Sequence, residues 1–275
     1  MTPPRPAAPP APVDDTPPGA PRAAARGAAQ PAAAARGGRR SAVLRLKLAP
    51  AAPALAAATA RLWRDDRGLT ARYTAYLRAM HGVVRASVPL MELAAQRCST
   101  MPRDPVAAPL GAYLREHAEE ERGHDRWLLE DAARAGADPG EVARALPPPA
   151  VARLVGAQYY WVAHHHPVGL LGYIAVLEGN APAPWLADRL AGATGLPRAA
   201  FRTVREHAVL DTGHRAELDA LLDRLDLTPA QESAVAVSAL HTADALAALF
   251  ARLGGTAPAH PPGAPAHPPE GEGNP

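Results

Sequence analysis

From Leu69 to Leu253 apolar side chains recur at three- and four-residue intervals, and no run alternates at the two-residue period of a strand. That feature confines the chain to helical folds. Alanine dominates an apolar fraction of 48%, and aromatic residues make up only 4%. Alanine is the best helix former, whereas strands favour β-branched and aromatic residues. Pro and Gly cut the pattern into helix-length pieces. The expected fold class is all-α, a bundle of about six or seven helices. The long helices are expected at 69–98 (kinked near Pro89), 104–135, 148–165, from Pro167 to about 180, 197–226 and 228–252, with shorter pieces near 52–65 and 183–192.

Residues 1–45 and 254–275 read as disordered tails, which leaves 46–253 as the helical domain. The first is Pro, Ala, Arg and Gly, and the second is rich in Pro, His and Gly. Neither can bury enough apolar surface to offset the entropy of ordering. The first tail also explains the charge. Residues 1–40 hold six arginines against Asp14 and Asp15, so the rest of a chain of net charge +2 is net −2. No nucleic-acid partner is expected from that balance.

Cys98 is the only cysteine, which excludes an internal disulfide and a thiolate metal site. A reducing cytoplasm is the expected compartment. Arg39-Arg40 precedes an apolar stretch, but Arg45, Lys47, Pro50 and Pro53 interrupt it where an export signal needs an unbroken run. No stretch approaches the ~20 apolar residues of a membrane span, so no membrane partner is expected.

Three stretches carry chemistry. The first is "EHAVLDTGHRAEL", which spaces His207, Asp211 and His214 by four and then three. On a helix these positions share one face. A bland alternative is a surface ion pair. The second is "EHAEEERGHDRWLLEDA", where His117, Glu121 and His124 repeat the spacing. Glu-x2-His is the pair that metal bundles project inward. Glu120 points about a quarter turn away from Glu121. The third is the apolar run from Val168 to Leu177, which ends on Glu178. A buried carboxylate there needs a partner; otherwise it reaches water at the helix end. Taken together, Glu121, His124, Glu178, His207, Asp211 and His214 supply mixed oxygen and nitrogen ligands without sulfur. That set suits iron or manganese, and six ligands serve two ions with positions left open for O2 or substrate.

At these stretches, and at "HGVVRASVPLMELA", the chain resembles the haem-oxygenase-like di-metal oxidases, also called iron-containing redox enzymes. Thiaminase II and pyrroloquinoline-quinone synthase bundles are relatives of that family. The matching pieces occur in the family's order and cover most of 69–226. The resemblance implies a haem-oxygenase-like bundle holding two irons, Fe(II) or Fe(III), or iron with manganese in one position. It implies that the same six residues ligate. It implies O2 as co-substrate in oxidising a small molecule of amine, amino acid or fatty acid type, in specialised biosynthesis. An external electron donor and a homodimer are compatible with it. Several members space the acid and histidine of the second helix more widely than Glu121 and His124. His117, Glu120 and Glu92 therefore stand as substitute ligands, with an arginine partner the plainer role for Glu92.

His81, Arg85, Tyr160 and Tyr173 are candidates for the substrate pocket. Their plainer roles are packing for His81 and the tyrosines, and an ion pair for Arg85. Of the histidine run His164–His166, at most one can face a site, because neighbours on a helix diverge. His241, in an apolar helix, reads as a core histidine. Two other functions compete with the oxidase. One is a metal-free enzyme of the thiaminase II or quinone-synthase kind, against which Cys98 lies outside the site stretches. The other is a non-catalytic bundle, either a metal or small-ligand carrier or an interaction protein with flexible arms, in which the tails matter most.

Overall fold

The computed structural model describes residues 39–255. The tails expected at 1–45 and 254–275 therefore lie almost wholly outside the described residues. The described chain is helical throughout and contains no strand. In order it forms α1 (Arg40–Leu48), α2 (Ala52–Arg64), α3 (Leu69–Val84), α4 (Ser87–Ser99), α5 (Ala107–Glu121) and α6 (His124–Arg134). It continues with α7 (Pro139–Arg144), α8 (Pro149–His164), α9 (Leu170–Gly179), α10 (Leu186–Thr194), α11 (Arg202–Arg224) and α12 (Pro229–Gly255). Single 3-10 turns lead into α9 and α11 at Pro167–Gly169 and Arg198–Phe201.

The helices outnumber the expectation for two reasons. Short helices were missed, and two long ones are broken. α1 falls partly inside the expected tail: Arg40 to Arg45 are helical, not tail. It docks through Ser41 N–H on Asp223 (2.9 Å), Arg40 on Glu232 (3.0 Å) and Arg45 on Asp219 (2.6 Å), with Leu44 buried. The helix expected over 69–98 breaks at Arg85-Ala86 and restarts at Ser87. Pro89 lacks an N–H, and its ring clashes with the carbonyl four residues back. That residue is Arg85, so Pro89 can only sit in the first turn of a new helix. The helix expected over 104–135 breaks at Arg122-Gly123, where Gly123 takes a left-handed φ of 92°. Only glycine adopts that conformation without strain.

α9 is buried on nearly every side, as a central helix must be when it is apolar all round. It packs on α12 and α11 and lies beside α8. The crossing with α12 is so close that a Cβ on Gly172 would meet Val235 O and lie 2.7 Å from Ala239 N. α12 also packs on α2 and α8. It corrects the expectation that no segment could span a membrane: its 27 residues are long and apolar enough by length and composition. In this fold 56% of that apolar stretch is buried, and it serves as a core helix. A buried polar ladder ties it to α8, with Ser238 Oγ donating to Gln158 Oε1 (2.9 Å) and Gln158 Nε2 donating to Thr242 Oγ1 (3.3 Å). Arg72, itself buried, closes the end of α2 by donating to the carbonyls of Leu62, Asp65 and Arg67. Tyr73 is fully buried against Phe201 (4.6 Å) and donates to Ala200 O (2.6 Å), which pins the lead into α11 on α3. Burying such a ring stabilises the fold by roughly 2–3 kcal/mol.

Candidate metal centre

Four helices bring their ligand-type side chains to one buried place. α5 ends there with His117 and Glu121, and α6 begins there with His124. α9 ends there with Glu178, and α11 crosses with His207, Asp211 and His214. Two donor groups result. His117, Glu121, Glu178 and His214, all buried, offer atoms within 4.8 Å of one another. Glu121, His124 and His207 form the second such group. Glu121 belongs to both.

The distances are those of paired charges. His214 Nδ1 lies 3.3 Å from Glu178 Oε2 and 3.6 Å from Glu121 Oε1. His117 Nε2 lies 3.5 Å from Glu178 Oε1, and His124 Nδ1 lies 3.1 Å from Glu121 Oε2. Imidazoles cross edge to face at 4.6 Å for His117 and His214, and at 5.1 Å for His124 and His207. Around them sits an orienting layer. His207 Nδ1–H donates to Thr203 O (2.9 Å), which leaves Nε2 with its lone pair toward the group. Glu120 lies 3.4 Å from His117 Nδ1 and 3.8 Å from His214 Nε2, on their far nitrogens. The His124 ring stacks on Trp127 at 4.0 Å, and Arg202 covers Trp127 at 4.5 Å. Asp131, fully buried on α6, accepts from Arg202 N (3.2 Å) and Thr203 N (2.8 Å) and so fixes the first turn of α11.

The electrostatics call for positive charge. Burial alone would raise the Glu121 carboxyl, but the His124 hydrogen bond and charge outweigh it and hold it down at about 2. Glu178 is lowered too, against its burial, by His117 and His214. Burial opposes protonation of His214, yet Glu178 and Glu121 push it up to about 9. Asp211 moves the other way: burial, then Glu178 and Glu121, push it up to about 8. Asp211 Oδ1 is buried with no hydrogen-bond partner, and Glu178 Oε2 and His214 Nδ1, also buried, face each other at 3.3 Å without completing a hydrogen bond. Unsatisfied buried donors and acceptors of this kind are costly in a native core. Bound cations would satisfy them, so the residues present fit a metal site.

Five of the six residues expected as ligands lie in the two groups. Asp211 is placed beside them but in neither. His117, expected only as a substitute, is a full member of the first group, and its i, i+4 spacing to Glu121 was the visible signal. Glu121 and His124 do not share one helix, as the Glu-x2-His pattern suggested; the Gly123 turn joins them across a break. Glu120 sits behind the histidines. Glu92 is exposed and pairs with Arg122 at 3.0 Å, away from the group.

A cavity of about 690 Å³ reaches the centre, with His117, Glu121, Glu178, His207 and Asp211 in its wall. Of the four pocket candidates only Tyr173 lines it. Tyr160 is 63% exposed and packs on His164 instead. His81 is buried outside the cavity, and Arg85 donates to Ala143 O (3.1 Å). Their helical positions carried no signal of which side faced inward. His166, from the histidine run, holds Asp104 at 2.9 Å and is structural. Cys98 is buried, lies outside the cavity, and its thiol is pushed up to about 11 by burial.

Fold and site together define a haem-oxygenase-like bundle with a buried carboxylate–histidine cluster. The fold is shared with a protein of unknown function from Shewanella denitrificans OS217, at TM-score 0.60 and 20% identity over 78% of this chain and 88% of that one. A TenA homologue from Pseudomonas syringae pv. tomato DC3000 matches at TM-score 0.59 and 13% identity, over 78% of this chain and 92% of that one. The model of the iron-containing redox enzyme family matches residues 65–247, and the chain belongs to that family. No curated protein sequence matches it.

Proposed function

We propose that this protein is a non-haem di-iron oxidase that uses O2 to oxidise a small molecule. The observation that carries the reading is the shared carboxylate: Glu121 joins two donor groups, one of four residues and one of three. Bridging carboxylates with histidines on each side hold metal pairs in helical bundles. His117, Glu121, Glu178 and His214 would hold one iron, and Glu121, His124 and His207 the other. Asp211, with its unpartnered Oδ1 in the cavity wall, is the spare ligand from α11. Bound iron would supply redox chemistry toward O2, and manganese in one position would serve the same ligands.

The chain's own part is positioning. Thr203 O fixes the His207 tautomer, and Glu120 steadies His117 and His214 from behind. Leu128, Leu170 and Ile174 are among the apolar side chains lining the cavity, and such a wall disfavours water beside a reacting centre. A small amine, amino acid or fatty acid fits such a space, and electrons come from an external donor.

The TenA likeness raises the metal-free thiol reading. Against it stands the sole cysteine, buried away from the cavity with a raised thiol. The test is anaerobic reconstitution with Fe(II), then Mössbauer spectroscopy and rapid-mixing absorption on O2 exposure. Two irons per chain and an O2-dependent visible transient, altered in Asp211→Ala, are expected. Less than one iron per chain and no reaction with O2 would end the proposal.

A further inference from the structure

Tyr113 stands one helical turn before His117 on α5 and is 7% exposed. Its ring lies nearly parallel to the His117 imidazole, with centroids 5.4 Å apart and 12° between the planes. A phenylalanine would fill that place as well. The hydroxyl is the part that needs a reason. Tyr113 Oη is buried and has no hydrogen-bond partner among the described residues. Buried hydroxyls without partners are few in native proteins, and each costs stability unless something satisfies it.

The surroundings narrow what that something is. Tyr113 is not in the wall of the cavity, so its hydroxyl does not serve a ligand bound there. Carboxylates surround it instead. Burial, then the charges of Glu178, Glu217, Glu120 and Glu121, raise the phenol's pKa, so it keeps its proton and acts as a donor. Glu178 exerts the strongest of these charges, and it is unsatisfied as well. Its Oε2 is buried and faces His214 Nδ1 at 3.3 Å without completing a hydrogen bond. A buried O–H without an acceptor and a buried oxygen without a donor thus share one neighbourhood, at the edge of the four-residue donor group.

We propose that Tyr113 is a positioning residue of the centre, whose hydroxyl donates to the Glu178 carboxylate when a cation binds the four-residue group. The inference rests on the reading of His117, Glu121, Glu178 and His214 as ligands. A cation that draws one oxygen of Glu178 leaves the other to the phenol, and a donor there fixes the orientation of a ligating carboxylate. Tyr113 then acts on the centre twice, with its ring against His117 and its hydroxyl against Glu178. It touches neither the metal nor a ligand in the cavity.

The test is Fe(II) titration of the full chain under nitrogen against a coloured chelator, for wild type and Tyr113→Phe. The variant keeps the stack on His117 and removes only the hydroxyl. It is expected to bind one of the two irons about tenfold more weakly, the low end of the loss when an orienting partner is removed. The other iron should bind as in wild type. Without metal the variant should unfold at the same urea concentration as wild type or a higher one, because an unsatisfied hydroxyl has gone. Unchanged affinity for both irons overturns the proposal, and so does an equal loss from both. A metal-free midpoint that falls also overturns it, because the hydroxyl is then part of the folded core. If the effect of Tyr113→Phe vanishes in a Glu217→Gln background, the hydroxyl acts through Glu217 and the assignment to Glu178 is wrong. Wild type that takes up no iron ends the di-iron reading and this inference together. Wild type that loads two irons no more tightly than Tyr113→Phe ends this inference alone.

Discussion

Glu121 ends α5 with one carboxylate oxygen 3.1 Å from His124 and the other 3.6 Å from His214. Among the described residues, only Glu121 belongs to both donor groups. Glu121→Ala is therefore expected to lose both irons, whereas His207→Ala should lose only one. Metal analysis after anaerobic Fe(II) loading distinguishes the two; equal losses would mean that Glu121 is not shared. Glu120 acts at one remove. It is partly exposed and faces the far nitrogens of His117 and His214. Carboxylates in that place orient ligating imidazoles, and their loss weakens metal affinity about 10- to 100-fold. Glu120→Gln should stay near the low end, since the amide oxygen still accepts a hydrogen bond. Competition with a coloured chelator reads that loss directly.

At the scale of elements, the break between α5 and α6 does the placing. A continuous helix would carry His124 one turn on from Glu121. The turn at Gly123 instead starts a new helix with His124 as its first residue. A Cβ there meets nothing within 4 Å, so alanine would suffer only the backbone penalty of φ +92°. That penalty is about 1–2 kcal/mol. Gly123→Ala should lower the urea midpoint accordingly and weaken iron binding at the His124–His207 group before the other. Unchanged loading of both irons would show that the turn does not set the geometry. The spacing within α11 was legible, because His207, Asp211 and His214 obey the helical period on one element. The break was not, because "ERGHD" also fits a continuous helix, and an isolated glycine marks an end only when the fold requires the bend. The Asp131 cap on α11 was invisible for another reason: it joins residues 72 apart in sequence. The outward turn of Tyr160 depends likewise on which helices become neighbours.

Across the whole molecule, the donors come from α5, α6, α9 and α11, so bound metal would tie together elements spread over a hundred residues. Ligands that bind only the folded state stabilise it by about 2.7 kcal/mol at a hundredfold excess over Kd. For a chain of this size that is a rise in Tm of roughly 5–11 °C, measurable by scanning calorimetry with and without Fe(II) under nitrogen. Glu121→Ala should show none of it. A second tie lies away from the centre. Asp104 Oδ2 accepts from His166 Nε2 (2.9 Å) and Gln231 Nε2 (3.0 Å), while Oδ1 accepts from Val106 N (2.8 Å). One carboxylate thus joins the lead into α5, the turn before α9 and the start of α12. Burial raises its pKa, but the bonds from His166, Val106 and Gln231 together lower it below 3.8. A carboxyl lowered on folding contributes stability above its unfolded value and loses it as pH falls through the folded one. Asp104→Asn keeps the shape and removes the charge. It should destabilise the chain by about 1–3 kcal/mol at pH 7, the range for hydrogen bonds to a charged group. In urea titrations below about pH 4 that difference should shrink, because the unfolded chain's carboxyl then takes up its proton and the linked stability falls away. A deficit equally large at both pH values would mean that the shape of this junction matters and its charge does not.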